Sequence, residues 1–469
     1  LFSSVLVQEG GCPFVFILGD LEEAGYFYHD LTQILGTERV LFFPSSFRRS
    51  IKYGQKDAAN EILRTEVLSR LQKGEEGLCI VTYPDALAEK VVSRKELSNK
   101  TLKLNVGEKV DTTFITDVLH SYGFECVDYV YEPGQYVRGS IIDVFSFASE
   151  YPYRIDFFGD EVESVRTFEV ESQLSREKKD GVSIVPDLAV TGDVTTSFLD
   201  FIPKETTLAM RDFLWLRERI QVVHDEALTP QAIAVQEAEE NGGITLEGKL
   251  IDGSEFTVRA LDFRRLEFGN KPTGTPNASV TFNTSAQPIF HKNFDLVASS
   301  FKDYLEKGYS LYICSDSMKQ TDRIKAIFED RGDKINFTPV ERTIHEGFVD
   351  NTLRLCIFTD HQLFDRFHKY NLKSDKARSG KVALSLKELN QFTPGDYVVH
   401  TDHGIGRFSG LVRIPNGDTT QEVLKLVFQN EDVVFVSIHS LHKVSKYKGK
   451  EGEAPRLNKL GTGAWEKLK

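Results

Sequence analysis

Three short stretches of this 469-residue chain hold residue types that can do chemistry. In DYVVHTDHGIGRFSG, Asp396 to Gly410, His400 and His403 flank Asp402, and Gly404, Gly406 and Gly410 follow. Imidazole and carboxylate groups are metal ligands, and a glycine-rich turn can bring backbone N–H groups to a phosphate. In TDHQ, Asp360 and His361 end an apolar run, where an ATP-hydrolysing protein would place an acidic box for Mg²⁺ and water. In LGDLEEAGYFYHDL, Gly19 and Gly25 follow the first apolar run, where a phosphate loop would stand.

Each stretch lacks something its chemistry needs. A phosphate loop is GxxxxGK[ST], with glycines for close backbone approach and a lysine for the outer phosphates. No such match occurs in the chain, and Asp20, Glu22 and Glu23 would repel phosphate. Without that loop Asp360 has nothing to serve, and it reads as a helix N-cap. FGDEVES, Phe158 to Ser164, imitates an acidic box but reads as a hairpin turn with Gly159 at the bend. His439 and His442 could complete four metal ligands. However, His400 and His403 are three apart on strand and turn, which predicts diverging side chains and no metal. The three glycines instead let strands turn and bend. The segment therefore reads as non-enzymatic, with no cofactor of its own.

The elements that carry these stretches follow from periodicity. PFVFILGD, RVLFFP and GLCIVTY read as strands, and Leu21 to Leu35 and Ala58 to Lys73 as helices, the alternation of a parallel α/β sheet. From about Thr101 a helix in KVDTTFITDVLHSYGF precedes period-two strands in VDYVYEPGQYVRGSIIDVFSF and YPYRIDFFGDEVESVRTFEV. SFLDFIPKETTLAMRDFLWLRERIQ supplies the strand TTLAM and a helix. Gln231 to Asn293 is weakly patterned and contains the loop KPTGTPN. Helices from Asp295 to Lys307 and Met318 to Asp330 enclose the strand SLYICSD, and HEGFVDNTLRLCIFTDHQLF adds one more strand. From about Gln391, DYVVHT, RFSGLVRI, QEVLKLVF, DVVFVSI and HKVSKY suggest a small β-barrel. KGKEGEAPRLNKLGTG reads as a polar, flexible linker.

Composition narrows the classes further. With 40% hydrophobic and 27% charged residues the chain is ordinary for globular protein, and its length suggests three or four domains of roughly 100–150 residues. A net charge of −13 argues against DNA binding by this segment alone, because phosphate neutralisation needs clustered Lys and Arg. From Asn390 onward the balance reverses to 11 Lys+Arg against 9 Asp+Glu. Cys12, Cys79, Cys126, Cys314 and Cys356 form no CxxC pair, which predicts free thiols in a reducing cytosol and a cytoplasmic protein. No signal peptide or membrane span is visible. The absence of an initial methionine and the helix-like start GAWEKLK at the end read as a fragment.

Alternation also assigns sheet faces. Tyr153, Ile155 and Phe157 point one way, and Arg154, Asp156 and Phe158 the other. On the preceding strand Tyr136, Arg138 and Ser140 oppose Val137, Gly139 and Ile141. One outward face then carries Arg138, Arg154 and Phe158. A solvated face with one incidental aromatic and an Arg/Phe-rich interface both fit that pattern.

A resemblance separates the two. YVRGSIIDVF and SEYPYRIDFFGDEVESVRTFEVESQLS resemble the UvrA-docking domain shared by UvrB and the bacterial transcription-repair coupling factor (Mfd) family. FTPGDYVVHTDHGIGRFSGL and HSLHKVSKY resemble that family's RNA-polymerase-interacting domain, which is related to CarD-type regulators. HEGFVDNTLRLCIFTDHQLF looks like the family's third domain, and APRLNKLGTGAWEKLK like its linker toward the motor. The resemblance is weakest over Leu1–Gln8 and Gln231–Asn293.

The resemblance implies a multidomain α/β and α+β chain. A degenerate P-loop-like α/β domain (1–100 and, with a linker, 189–293) would carry an inserted UvrA-binding β-rich domain (101–188). A small α/β third domain (294–388), an SH3/Tudor-like β-barrel (389–450) and a linker (451–469) would follow. It implies UvrA docking through Arg138, Arg154 and Phe158, and contact with the polymerase β subunit through Ile414, with Arg413 and Leu411 beside it. DNA tracking and ATP with Mg would belong to a motor beyond Lys469, and no membrane is involved. The alternatives are a UvrB-like damage-verification ATPase or helicase, which needs the missing phosphate loop, and a CarD-like regulator, which leaves the domains before the barrel unexplained.

Overall fold

The computed structural model describes residues 2–10, 13–46, 58–170, 172–188, 195–229, 232, 246, 248–269, 272–366, 393–400, 402–416, 419–437, 444–447, 455 and 457–460. The chain divides into two units: Leu1–Ser98 with Gly192–Leu372, and Asn99–Thr191 with Lys373–Lys469. The second unit's first segment is thus an insertion within the first unit.

In the first unit a five-stranded parallel sheet has the order Arg264–Glu267, Thr207–Met210, Phe14–Ile17, Cys79–Thr82, Val40–Phe42. Phe14–Ile17 and Cys79–Thr82 are buried along their whole length, as expected for parallel strands covered on both faces. The predicted helices form as Leu21–Leu35 and Ala58–Gln72. A second five-stranded sheet has the order Thr284–Ala286, Phe348–Asp350, Leu355–Thr359, Ser310–Cys314, Thr338–Val340, with helices Phe294–Glu306 and Met318–Asp330. Its core is aromatic: Phe301, Phe328 and Phe358 are all buried. The weakly patterned 231–293 region hides real elements, since helix Gly253–Ala260 and strand Arg264–Glu267 complete the first sheet. HEGFVDNTLRLCIFTDHQLF holds two antiparallel strands, not one, because 351–354 form a turn.

In the second unit the inserted module is a six-stranded sheet. Its strands are β1 (Glu125–Cys126), β2 (Gln135–Val137), β3 (Ile141–Val144), β4 (Tyr153–Phe158), β5 (Glu161–Phe168) and β6 (Ser175–Lys179), in consecutive order. Helix Thr112–Ser121 presents Ile115 and Leu119 to one face, where they meet Tyr136, Ile142, Val144, Ile155, Val162 and Val165. The chain enters and leaves through an antiparallel pair, Leu102–Asn105 with Gly181–Ile184.

The C-terminal module is a five-stranded antiparallel sheet made of β7 (Tyr397–His400), β8 (Gly404–Asn416), β9 (Thr419–Val427), β10 (Val433–Ser437) and β11 (Val444–Lys446). Its order is β10-β9-β8-β7-β11, and among the described residues the edge strands β10 and β11 do not pair. Glycines shape β8. Gly410, at φ +116, sits in the register shift between Phe408 and Leu411, and a Cβ on Gly406 would meet the Phe428 ring at 3.0 Å. Part of the predicted flexible linker is anchored here. Ile405 N donates to Asn458 Oδ1 (2.8 Å), Asn458 N donates to Ile405 O (2.9 Å), and Leu460 packs on the core. A polar composition concealed one Asn–Leu staple.

Candidate docking surfaces

Phe158 ends β4 and is 80% exposed at the tip of the β4–β5 hairpin. Arg138 is exposed, but it is not in a strand. The pattern YVRGSII breaks at a bend over 138–140, between β2 and β3. The face assignment that grouped Tyr136 with Arg138 therefore fails: Tyr136 is 5% exposed and belongs to the core. Period two holds only along unbroken strand, and Gly139 lies in the bend. The bend still lies beside Phe158, because Phe157 N donates to Ser140 O at 3.2 Å.

Arg154 shares the face of Phe158, as alternation requires, but it is engaged by its own module. Its side chain is 21% exposed, and its Nε and Nη2 donate to Asp143 Oδ1 and Oδ2 at 2.8 and 2.7 Å. Nη1 donates to Gln173 O at 3.1 Å, and the guanidinium lies 4.6 Å from the Phe168 ring centroid. The hydrogen bonds to Asp143 hold the Arg154 proton more firmly than water does, raising its pKa. A bidentate pair of this kind fixes geometry as well as charge. β3 and β4 set it up through their register, Asp143 opposite Arg154. The expectation that this arginine is outward is corrected: its side chain is mostly buried and held by Asp143.

Sequence reasoning missed the groove beside this tip. It has a volume of about 610 Å³ and is lined by Ser140, Ile141, Asp156, Ser164 and Arg166, among others. Asp156 is ion-paired with Arg166 and accepts from Ser164 Oγ at 2.6 Å, so the groove floor is internally neutralised.

On the C-terminal module β8 and β9 form a long hairpin, registered from Arg407↔Val427 to Asn416↔Thr419. β7 pairs β8 only as far as Arg407, and β10 pairs β9 only as far as Val423. Among the described residues, the arm beyond these points has no strand on either outer edge. An open edge of this kind can accept a strand from a partner. Leu411 is 41% exposed at the base of the arm. Ile414 pairs with Gln421 and Arg413 with Glu422 along the backbone, while their side chains lie outside the described residues.

The chemistry-bearing stretches take structural roles. At the turn where a phosphate loop would stand, Asp20 caps helix Leu21–Leu35 by accepting from Glu23 N at 2.9 Å, and Glu23 Oε2 accepts from Gly19 N at 2.6 Å. These carboxylates use backbone donors that a phosphate would need. His400 is 4% exposed and its ring stacks on His403, with centroids 4.5 Å apart. The predicted divergence is wrong because the turn between β7 and β8 pairs His400 with Gly404 and folds His403 back. His439 and His442 lie outside the described residues. Among the described residues no three His, Cys, Asp or Glu side chains come together to hold a metal. Asp360 is not the N-cap of its short helix Asp360–Leu363; Thr359 holds that place, and Asp360 accepts from Arg366 Nη2 at 2.6 Å. Burial lowers the His361 pKa, and its Nε2 lies 2.8 Å from His345 O. Burial pushes the Cys79 and Cys314 thiols up to about 11 and Cys356 to about 12, which makes them poor nucleophiles.

Comparison with known proteins matches both modules. The UvrB interaction domain family matches residues 102–189, and the CarD-like/TRCF RID domain family matches residues 392–448. A transcription-repair-coupling factor of Staphylococcus aureus (strain bovine RF122 / ET3-1) is 23% identical over 528 aligned residues, 97% of this chain and 44% of that protein. That of Bacillus subtilis (strain 168) is 22% identical over 547, covering 100% of this chain and 46% of the relative. The chain is similar to these transcription-repair-coupling factors over nearly its whole length. It spans less than half the length of these relatives. Within the transcription-repair-coupling factor pattern, the UvrB interaction domain takes in all of β1 to β6 with Arg138 and Phe158, and the RID domain takes in β7 to β11. No helix among the described residues is long and apolar enough to cross a membrane.

Proposed function

We propose that this chain is the adaptor part of a transcription-repair coupling factor, acting in the cytoplasm. The inserted module docks UvrA through Phe158 and Arg138, with Arg154 holding the surface in shape. The C-terminal module docks the RNA polymerase β subunit along the open arm at Leu411, Arg413 and Ile414. One chain thereby brings the repair factor to the stalled enzyme and raises its local concentration there. ATP-driven DNA translocation, with ATP and Mg, would belong to the rest of the full-length protein, and this segment would catalyse nothing. In the same reading, the first parallel sheet is a degenerate nucleotide-binding domain closed by Asp20 and Glu23, and β7 to β11 curl into a small barrel.

The observation that carries the reading is the presence of both matched domains on one chain, one with an exposed aromatic tip and the other with an open strand edge. Paired pull-downs test it. The chain should retain purified UvrA and, separately, the polymerase β subunit. Failure to retain either, or ATP hydrolysis by the chain, would sink it. A narrower outcome concerns the arm. Ile414→Asp should lower affinity for the β subunit at least about tenfold, because a charge at the centre of a strand-pairing contact must be desolvated. UvrA retention by that variant should be unchanged; loss of both partners would mean misfolding.

A further inference from the structure

The 106–111 segment flanks the β4–β5 tip on the side away from the 138–140 bend. Gly107 N donates to Val162 O (2.8 Å), Val162 N donates to Glu108 O (2.9 Å), and Val110 N donates to Asp160 O (2.7 Å). Lys109 and Glu161 form an isolated antiparallel bridge. These bonds extend the sheet by one short irregular strand and deliver the chain, through the N-cap Asp111, into helix Thr112–Ser121. Ile115 and Leu119 of that helix are fully buried, so its orientation is fixed by the core. Phe114, one residue before Ile115, is left 54% exposed in the first turn.

We infer that Phe114 is a second aromatic anchor of the UvrA-docking surface, so that the partner reaches around the hairpin tip, from Arg138 and Phe158 on one face of the sheet to Lys109 and the helix-borne Phe114 on the other. The inference rests on the docking reading above. Continuity supports it: both phenylalanines lie inside the matched UvrB interaction domain, and three backbone hydrogen bonds join the segment leading to Phe114 to the strand that follows Phe158. Chemistry supports it too. The surface combines two exposed aromatic rings with a lysine and an arginine, and aromatic residues and arginine are enriched at protein–protein contacts. A partner fitting it would offer an apolar socket for each ring.

The test is calorimetric titration of the whole chain with purified UvrA, using wild type, Phe158→Ala, Phe114→Ala and Phe114→Gln. Phe282→Ala, an exposed phenylalanine in the other unit, serves as control. Phe114→Ala and Phe114→Gln are expected to weaken binding about fivefold to twentyfold, with melting temperatures and the control's affinity unchanged. If Phe158→Ala weakens binding while both Phe114 variants bind like wild type, the inference is overturned and the docking reading stands. If the wild-type chain does not bind UvrA, the docking reading itself is overturned, and the inference with it.

Discussion

Replacing Phe158 by aspartate should raise the dissociation constant for UvrA at least about a hundredfold, the size expected when a central aromatic anchor is lost and a charge is placed against an apolar socket. The folded chain should not notice. Phe158 is 80% exposed at a hairpin tip and contributes nothing to the core formed by Ile142, Ile155 and Val162. The melting temperature should therefore stay within about a degree of wild type, since surface substitutions usually change stability by less than ~0.5 kcal/mol. Binding that survives Phe158→Asp would show that the partner engages another face of the module.

Arg154→Ala should do the opposite. It removes a bidentate partner of Asp143, a bond to Gln173 O and a guanidinium packed on Phe168, leaving Asp143 with side-chain exposure of only 13%. Breaking a largely buried pair by deleting one member costs about 3 kcal/mol. For a module of this size that is a fall on the order of 10 °C in melting temperature. Arg154→Lys should recover only part of this, because an ammonium cannot span both carboxylate oxygens. Arg138→Ala, in the exposed bend, should melt like wild type and lose UvrA affinity. A melting temperature unchanged in Arg154→Ala, together with lost binding, would return Arg154 to the contact surface.

These contrasting expectations show what the sequence could disclose. Helix Leu21–Leu35 was legible to the residue, because Asp20 and the acidic first turn mark its start and its periodicity is unbroken. Met318–Asp330 was equally plain. The hairpin at Phe158 was legible from its glycine, and so was the outward aim of Phe158. The solvent access of Arg154 was not. Alternation tells which face a side chain leaves from, but not whether Asp143 on the next strand reaches across to hold it. Arg138 was placed for the wrong reason, since counting by twos ran through the bend at 138–140. Phe114 carried no sequence signal of its own; its proximity to the tip depends on backbone bonds between residues about fifty positions apart. Strands Arg264–Glu267 and Thr338–Val340 were unreadable because each is short and depends on neighbouring strands for its hydrogen bonds.

The carboxylates at the start of helix Leu21–Leu35 have a further consequence. A phosphate held by Gly19 N and the helix N-terminus would arrive and depart with the cell's nucleotide pool. The Glu23 carboxylate, tethered one turn away and already bonded to Gly19 N, cannot depart. The first sheet should then keep one shape with or without nucleotide. Its thermal transition should be indifferent to added ATP or ADP, which a melting series with each nucleotide would read directly.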